Sequence, residues 1–187
     1  MKKVAISLIV TMLMSAPMFG ADILAPDDFI IAIDADSASS SPDGEPAPLA
    51  IDRVATTKYL NFGENNSGFI VTPGAGVSIV DSFVLTTAND AEERDPATWE
   101  LYGTNDAILS ADHSAGDAEN WTLIASGSVS LPTARDTVGP TVALSNTTIY
   151  ASYKMLFPTV KDAVAANSMQ IAEVQFNGEA NGARNAV

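Results

Sequence analysis

The chain has 187 residues, enough for one domain with a proper hydrophobic core. Its 23 acids against 9 lysines and arginines give a formal charge of -14, which sets it against nucleic acid and anionic lipid because like charges repel. Cysteine is absent, so the fold rests on its core, with or without a metal, and not on disulfides.

The first segment, MKKVAISLIVTMLMSAPMFGA, has two lysines, an apolar run from Val4 to Leu13 and then small residues. That is the three-part shape of a secretory signal peptide over 1–21, with cleavage after Ala21. The apolar run is too short to span a bilayer, and Pro17 interrupts the residues beyond it. Its removal takes away Lys2 and Lys3 and no acid, moving the formal charge to about -16. The expected location is extracellular or at the cell surface. No later apolar run reaches membrane-spanning length, so no membrane insertion is expected.

From residue 22 to 180 the sequence reads as strands separated by Gly, Pro, Asn and Asp turns, without a convincing amphipathic helix. The runs are Phe29–Ile33, Tyr59–Phe62, Phe69–Val71, Val77–Thr87, Thr98–Gly103, Trp121–Gly127, Thr141–Leu144, Ile149–Phe157 and Met169–Phe176. Residues 37–48 are a loop of turn formers, 104–120 a second irregular loop, and 160–168 has room for one helical turn. The stretch 181–187 is a polar tail. About eight strands with such turns predict an all-β, antiparallel two-sheet jelly-roll sandwich. In MQIAEVQF neither alternating face is wholly apolar, which puts Glu173 at a sheet margin.

Enzyme constellations are missing. His113 is the only histidine, which leaves no ordinary zinc site, and no Gly-x-Ser-x-Gly elbow accompanies it. It reads as a solvated loop residue. Glu92, Glu93 and Asp95 share one charged turn, expected to be solvated and without the apolar surroundings that glycosidase carboxylates need. Trp99 and Trp121 both stand beside apolar neighbours at alternating spacing and are assigned to the core.

Five blocks taken together carry a resemblance: LAIDRVATTKYLNF (49–62), FVLTTANDAEERDPATWELYGTND (83–106), NWTLIASG (120–127), IYASYKMLF (149–157) and MQIAEVQFNG (169–178). Their order and spacing resemble the discoidin, or coagulation factor 5/8 type C, domains. These are galactose-binding-like jelly rolls that include many sugar-binding modules of bacterial secreted proteins. Arg53 stands where the family often has Gly, and Tyr59 where it often has Trp.

The resemblance implies one structural calcium, held by the carbonyls of Leu49, Val54 and Ala172, the carboxylates of Asp52 and Glu173, and the hydroxyl of Thr57. Calcium takes six to eight oxygens and accepts carbonyls beside carboxylates. Without the resemblance, Asp52 reads as the cap of a turn and Glu173 as the partner of Arg53 or Lys58. The resemblance also places sugar contacts on loops at one end of the sandwich, where Asn89, Asp90, Arg94, His113 and Arg135 are candidates, although Arg94 also has acids beside it to pair with. The expected function is non-catalytic binding of carbohydrate or another extracellular surface component. The alternative is a structural or adhesive cell-surface domain that binds protein.

Overall fold

Alternation along the chain becomes eleven strands in a computed structural model that describes residues 20–36 and 39–180. The tail 181–187 and the signal segment, apart from Gly20 and Ala21, lie outside the described residues. The strands are β1 (Ala21–Asp22), β2 (Phe29–Asp34), β3 (Tyr59–Asn61), β4 (Ser67–Thr72), β5 (Ser78–Thr86), β6 (Thr98–Thr104), β7 (Thr122–Ser128), β8 (Val142–Ala143), β9 (Ser152–Phe157), β10 (Met169–Ile171) and β11 (Glu173–Ala180). They form a five-stranded sheet β2-β4-β9-β6-β7, a four-stranded sheet β1-β11-β5-β8 and a β10-β3 ribbon. Every pairing between named strands is antiparallel, as the sandwich prediction requires. Among the described residues no helix is long and apolar enough to cross a membrane.

The core lies between the two larger sheets. Ile30, Ala32, Phe69, Val71, Trp99, Leu101, Tyr153, Met155 and Phe157 come from one, and Val80, Phe83, Leu85, Val174 and Phe176 from the other. Across the gap the Phe83 and Trp99 rings meet edge-on with centroids 4.9 Å apart, a favourable aromatic geometry.

Two departures from alternation shape the second sheet. Asn177 pairs with Ser82, but the next residue, Gly178, pairs with Val80, so β5 has one extra residue at that point. This bulge reverses the parity of β5 and lets Val80 face the core together with Phe83 and Leu85. At Ala172 the chain bends between β10 and β11. Met169 and Ile171 are buried before the bend, Val174 and Phe176 after it. Strict alternation would carry Glu173 inward with Ile171. The bend turns it to the margin instead.

The loop after β6 does more than connect. It folds over the outer face of the five-stranded sheet, where Ile108, Tyr102 and Trp121 pack on Ile31, Ile33, Ile70 and Leu156. It also caps the free edge of β2: Asp112 Oδ1 accepts the Ala32 N–H at 2.8 Å, and the His113 N–H reaches the Ala32 carbonyl at 2.8 Å. These bonds occupy edge groups that a strand of another chain could otherwise pair with. Lys154 lies 4.9 Å from the Tyr102 ring centroid and 5.0 Å from that of Trp121. Trp99 is in the sandwich core, as expected, but Trp121 is half-buried on the outer face. The alternation that assigned both tryptophans to one core could not register a second apolar layer.

Asp95 is also corrected. It is fully buried and takes both terminal nitrogens of Arg135, at 2.8–3.0 Å. Burial pushes its carboxyl up to about 6 against the pull of Arg135 and Lys161. Charge in the local sequence marked this residue as solvated. A cation forty positions downstream made burial tolerable. In the segment 160–168, the Ala165 and Ala166 N–H groups both reach the Asp162 carbonyl, a single turn of the kind expected.

Candidate functional site

The acids from the two ends of the chain do meet. Glu173 opens β11 opposite Thr86, and the 52–57 turn comes up against it. The Val54 N–H is shared between Asp52 Oδ1 at 2.8 Å and Glu173 Oε1 at 2.9 Å. Thr57 Oγ1 lies 2.7 Å from both Asp52 Oδ2 and the Val54 carbonyl. Arg53 takes a left-handed backbone conformation, φ 65°, to close this turn; a glycine would adopt it without strain. Leu49 lies in the 3-10 turn Ala47–Ala50, just before Asp52, and Ala172 is the buried bend residue that leads into Glu173.

Asp52 therefore does cap a turn. Glu173, however, has neither of the basic partners its sequence neighbourhood offered. The Arg53 guanidinium goes to the Leu24 carbonyl at 3.1 Å and to Asp22 at 3.7 Å. Lys58 goes to Asp90 at 2.7 Å and Glu45 at 3.7 Å. Partial burial, then a hydrogen bond with the Asp52 carboxyl and its charge, push Glu173 up to about 8. Two carboxyls, a hydroxyl and a carbonyl thus converge without a basic side chain between them. That donor set, all hard oxygen, fits calcium.

A second cluster lies on the loop between β5 and β6. Lys58, nearly buried, reaches Asp90 and also Gln170 Oε1 at 3.1 Å, so it ties this loop to β10 and to Glu45. Burial raises the Asp90 carboxyl, but the hydrogen bond and charge of Lys58 outweigh that and hold it below the usual range. Gln170 is fully buried, and its amide nitrogen caps the Asp90 and Ala91 carbonyls. The left-handed Ala91, φ 44°, then leads into the 3-10 turn Glu92–Arg94.

Asn89 and Asp90 are exposed on this loop, with Arg94 half-buried close by; the Arg94 charge also lowers Asp90. The Arg94 Nε is buried without a protein partner. Arg135 is spent on Asp95 and on the Ala88 carbonyl at 2.9 Å, supporting the loop from beneath. His113 is set apart from them at the edge of β2, half-buried, with its Nδ1 3.3 Å from Ser39 Oγ and its Nε2 3.6 Å from Asp112. Three of the five candidates therefore share one loop, one props it and one lies elsewhere. Glu45 and Gln170 carry no signal in the sequence, and Lys58 reads there only as a partner for Glu173. A lysine just before one short strand and a glutamine within another carry no spacing signal, and only the meeting of β3 with β10 gives them a role.

No family model matches the chain, and no curated protein matches it. Solved structures do. CpGH89CBM32-5 from Clostridium perfringens, in complex with GalNAc-β-1,3-galactose, superposes with a TM-score of 0.60 at 15% identity, covering 83% of this chain and 99% of that one. A family 32 carbohydrate-binding module from Streptococcus pneumoniae EndoD gives 0.57 at 13% identity over 85% and 100%. A fucolectin from striped bass, Morone saxatilis, gives 0.57 at 17% identity over 86% and 49%.

The chain has the discoidin-like jelly-roll fold. In this discoidin-like domain the acid pair and the 87–97 loop lie close together, since β5 ends at Thr86 opposite Glu173 and runs straight on into the loop. Four loops gather at that end. Phe62 N–H reaches the Ser40 carbonyl, the Val160 N–H reaches Asn65, and the Asp162 N–H reaches Glu93.

Proposed function

We propose that this is an exported, non-catalytic carbohydrate-binding module stapled by one structural calcium. The observation that carries the sugar reading is the 87–94 loop. It presents Asn89, Asp90 and Arg94 on a base made rigid by Lys58, Gln170 and the Asp95–Arg135 pair. Polar groups held in place before a ligand arrives lose little entropy on binding, which suits a weakly held, strongly hydrated ligand. Similarity in fold to modules solved with sugars supports the same reading. Calcium is supported by the Asp52–Glu173 pair and its missing basic partner. The ion would be held by these carboxylates with Thr57 and the carbonyls of Leu49, Val54 and Ala172. Bound there it would neutralise the pair and fix the 52–57 turn to β11.

The non-catalytic reading is supported at the charged turn by one carboxylate. Asp95, the buried one of the charged turn, has both oxygens occupied by Arg135. Phe62, half exposed, and Val164, almost fully exposed, at the same end favour the second reading, an adhesive domain that binds protein. A glycan array probed with and without chelator separates the two. Glycan binding that Asp90→Ala and Arg94→Ala weaken supports the module. Failure to bind any glycan at high protein concentration overturns it in favour of adhesion.

A further inference from the structure

At the opposite end of the five-stranded sheet lies a groove of about 530 Å³, lined by Phe29, Thr72, Asn105, Asp106, Ile108 and Ser152, together with two alanines. Its volume lies within the range of small-molecule sites, roughly 300–1,000 Å³. Phe29 opens β2 with the parity of Ile31 and Ile33, so its ring continues the apolar stripe on the outer face. The loop after β6 covers those isoleucines and leaves Phe29 51% exposed. An aromatic ring laid bare at the end of an otherwise covered stripe is a flat apolar platform.

The polar groups around it are already fixed. Asp106 Oδ2 accepts both the backbone and the side-chain N–H of Asn120, each at 2.9 Å. These two bonds hold its carboxyl below the usual range, so it is an acceptor at neutral pH. The Asn105 amide is clamped, its Oδ1 accepting the Ala151 N–H at 2.9 Å and its Nδ2 donating to the Ile149 carbonyl at 3.3 Å. Thr72 and Ser152 hydroxyls lie 2.8 Å apart, and one of them keeps a hydrogen to donate outward.

The ligand that fits must offer a flat apolar face to Phe29 and hydroxyl donors to Asp106. It must not be anionic, because the groove has a carboxylate, no cationic lining residue and a chain of charge -14 around it. Phosphorylated, sialylated and uronic sugars are thereby disfavoured. We propose that this groove is a second carbohydrate site, taking a neutral hexopyranose stacked on Phe29 and hydrogen-bonded to Asp106. It shares no residue with the 87–94 loop cluster and lies at the other end of the sandwich.

The test is an amide-resolved NMR titration of the protein with methyl glycosides of galactose, glucose, mannose, N-acetylglucosamine and N-acetylgalactosamine. At least one is expected to shift the amides of Phe29, Asn105–Ile108 and Ser152 in a saturable way. Phe29→Ala and, separately, Asp106→Asn are each expected to weaken that response about tenfold or more, roughly the loss of one good contact. Both side chains are exposed enough to be replaced without disturbing the core, and unchanged melting temperatures check this. Shifts confined to the loop cluster support the loop site and overturn the groove. Groove shifts alone do the reverse. Groove shifts that survive both substitutions also overturn the proposal, since neither contact would then hold the sugar.

Discussion

Replacing Glu173 with Gln tests the calcium staple with effects of opposite sign. Glu173 stands at about 8 in the fold against 4.5 for an unperturbed glutamate. An acid whose proton is held more tightly in the folded state adds stability that is complete below its unfolded value. That contribution fades as the pH rises through the folded value. At full strength the shift corresponds to about 5 kcal/mol; Glu173 is partly exposed, and solvent screening reduces this to about 2 kcal/mol. Without calcium, the native protein is therefore expected to melt about 4–8 °C lower at about pH 9 than at about pH 5 on account of this group. Glu173→Gln, free of the repulsion from Asp52, is expected to escape that loss and melt above the native protein at the higher pH. Calcium reverses the order. At a hundred times its dissociation constant it adds about 2.7 kcal/mol to the native protein, or about 5–10 °C, and nothing to the variant. Differential scanning calorimetry at both pH values, with calcium and with chelator, reads all four combinations. A native melting temperature indifferent to millimolar calcium, or a variant that still responds to it, refutes the reasoning.

Arg135→Ala removes the bidentate partner of a fully buried carboxylate and leaves only Lys161, 3.5 Å away, to compensate. Urea unfolding is expected to show a loss of about 3 kcal/mol, near the lower end for a broken buried pair. Gly68→Ala would drive a Cβ into the Met155 carbonyl oxygen, a backbone atom of the neighbouring strand that has nowhere to go. A destabilisation of about 3 kcal/mol or more, measured in the same way, is the expected outcome. Lys154→Met removes the cation that both the Tyr102 and Trp121 rings face, as well as a 3.2 Å bond to the Gly116 carbonyl. Hydrogen exchange is expected to quicken in residues 105–120 while the sandwich core keeps its protection, because the lost contact, about 1–2 kcal/mol, belongs to the overlay and not to the sheet.

Alternation and turn chemistry determine much by themselves. All nine strand-like runs carry strands, and TWELYG places Trp99 and Leu101 inward with Glu100 and Tyr102 outward, as its alternation predicts. These signals are local: one side chain in two faces the core, and the pattern shows it directly. Parity changes are less legible. The bulge in β5 and the bend at Ala172 each come from how a partner strand is engaged, so a run such as Val77–Thr87 looks merely irregular in the sequence.

The acid pair is half legible. Only the order of motifs in a resemblance points to Asp52 and Glu173, and only the fold decides that both basic neighbours turn away from Glu173. Asp95, Trp121 and Lys58 show the same limit more plainly. Whether a charge is solvated or buried, and whether an indole lies in a core or under a loop, depends on groups tens of residues away. Local alternation and turn chemistry therefore determined the strands and the two-sheet architecture. Tertiary structure alone decided which charges are neutralised and which aromatic rings stay bare, because Coulomb attraction and burial act through space and not along the chain.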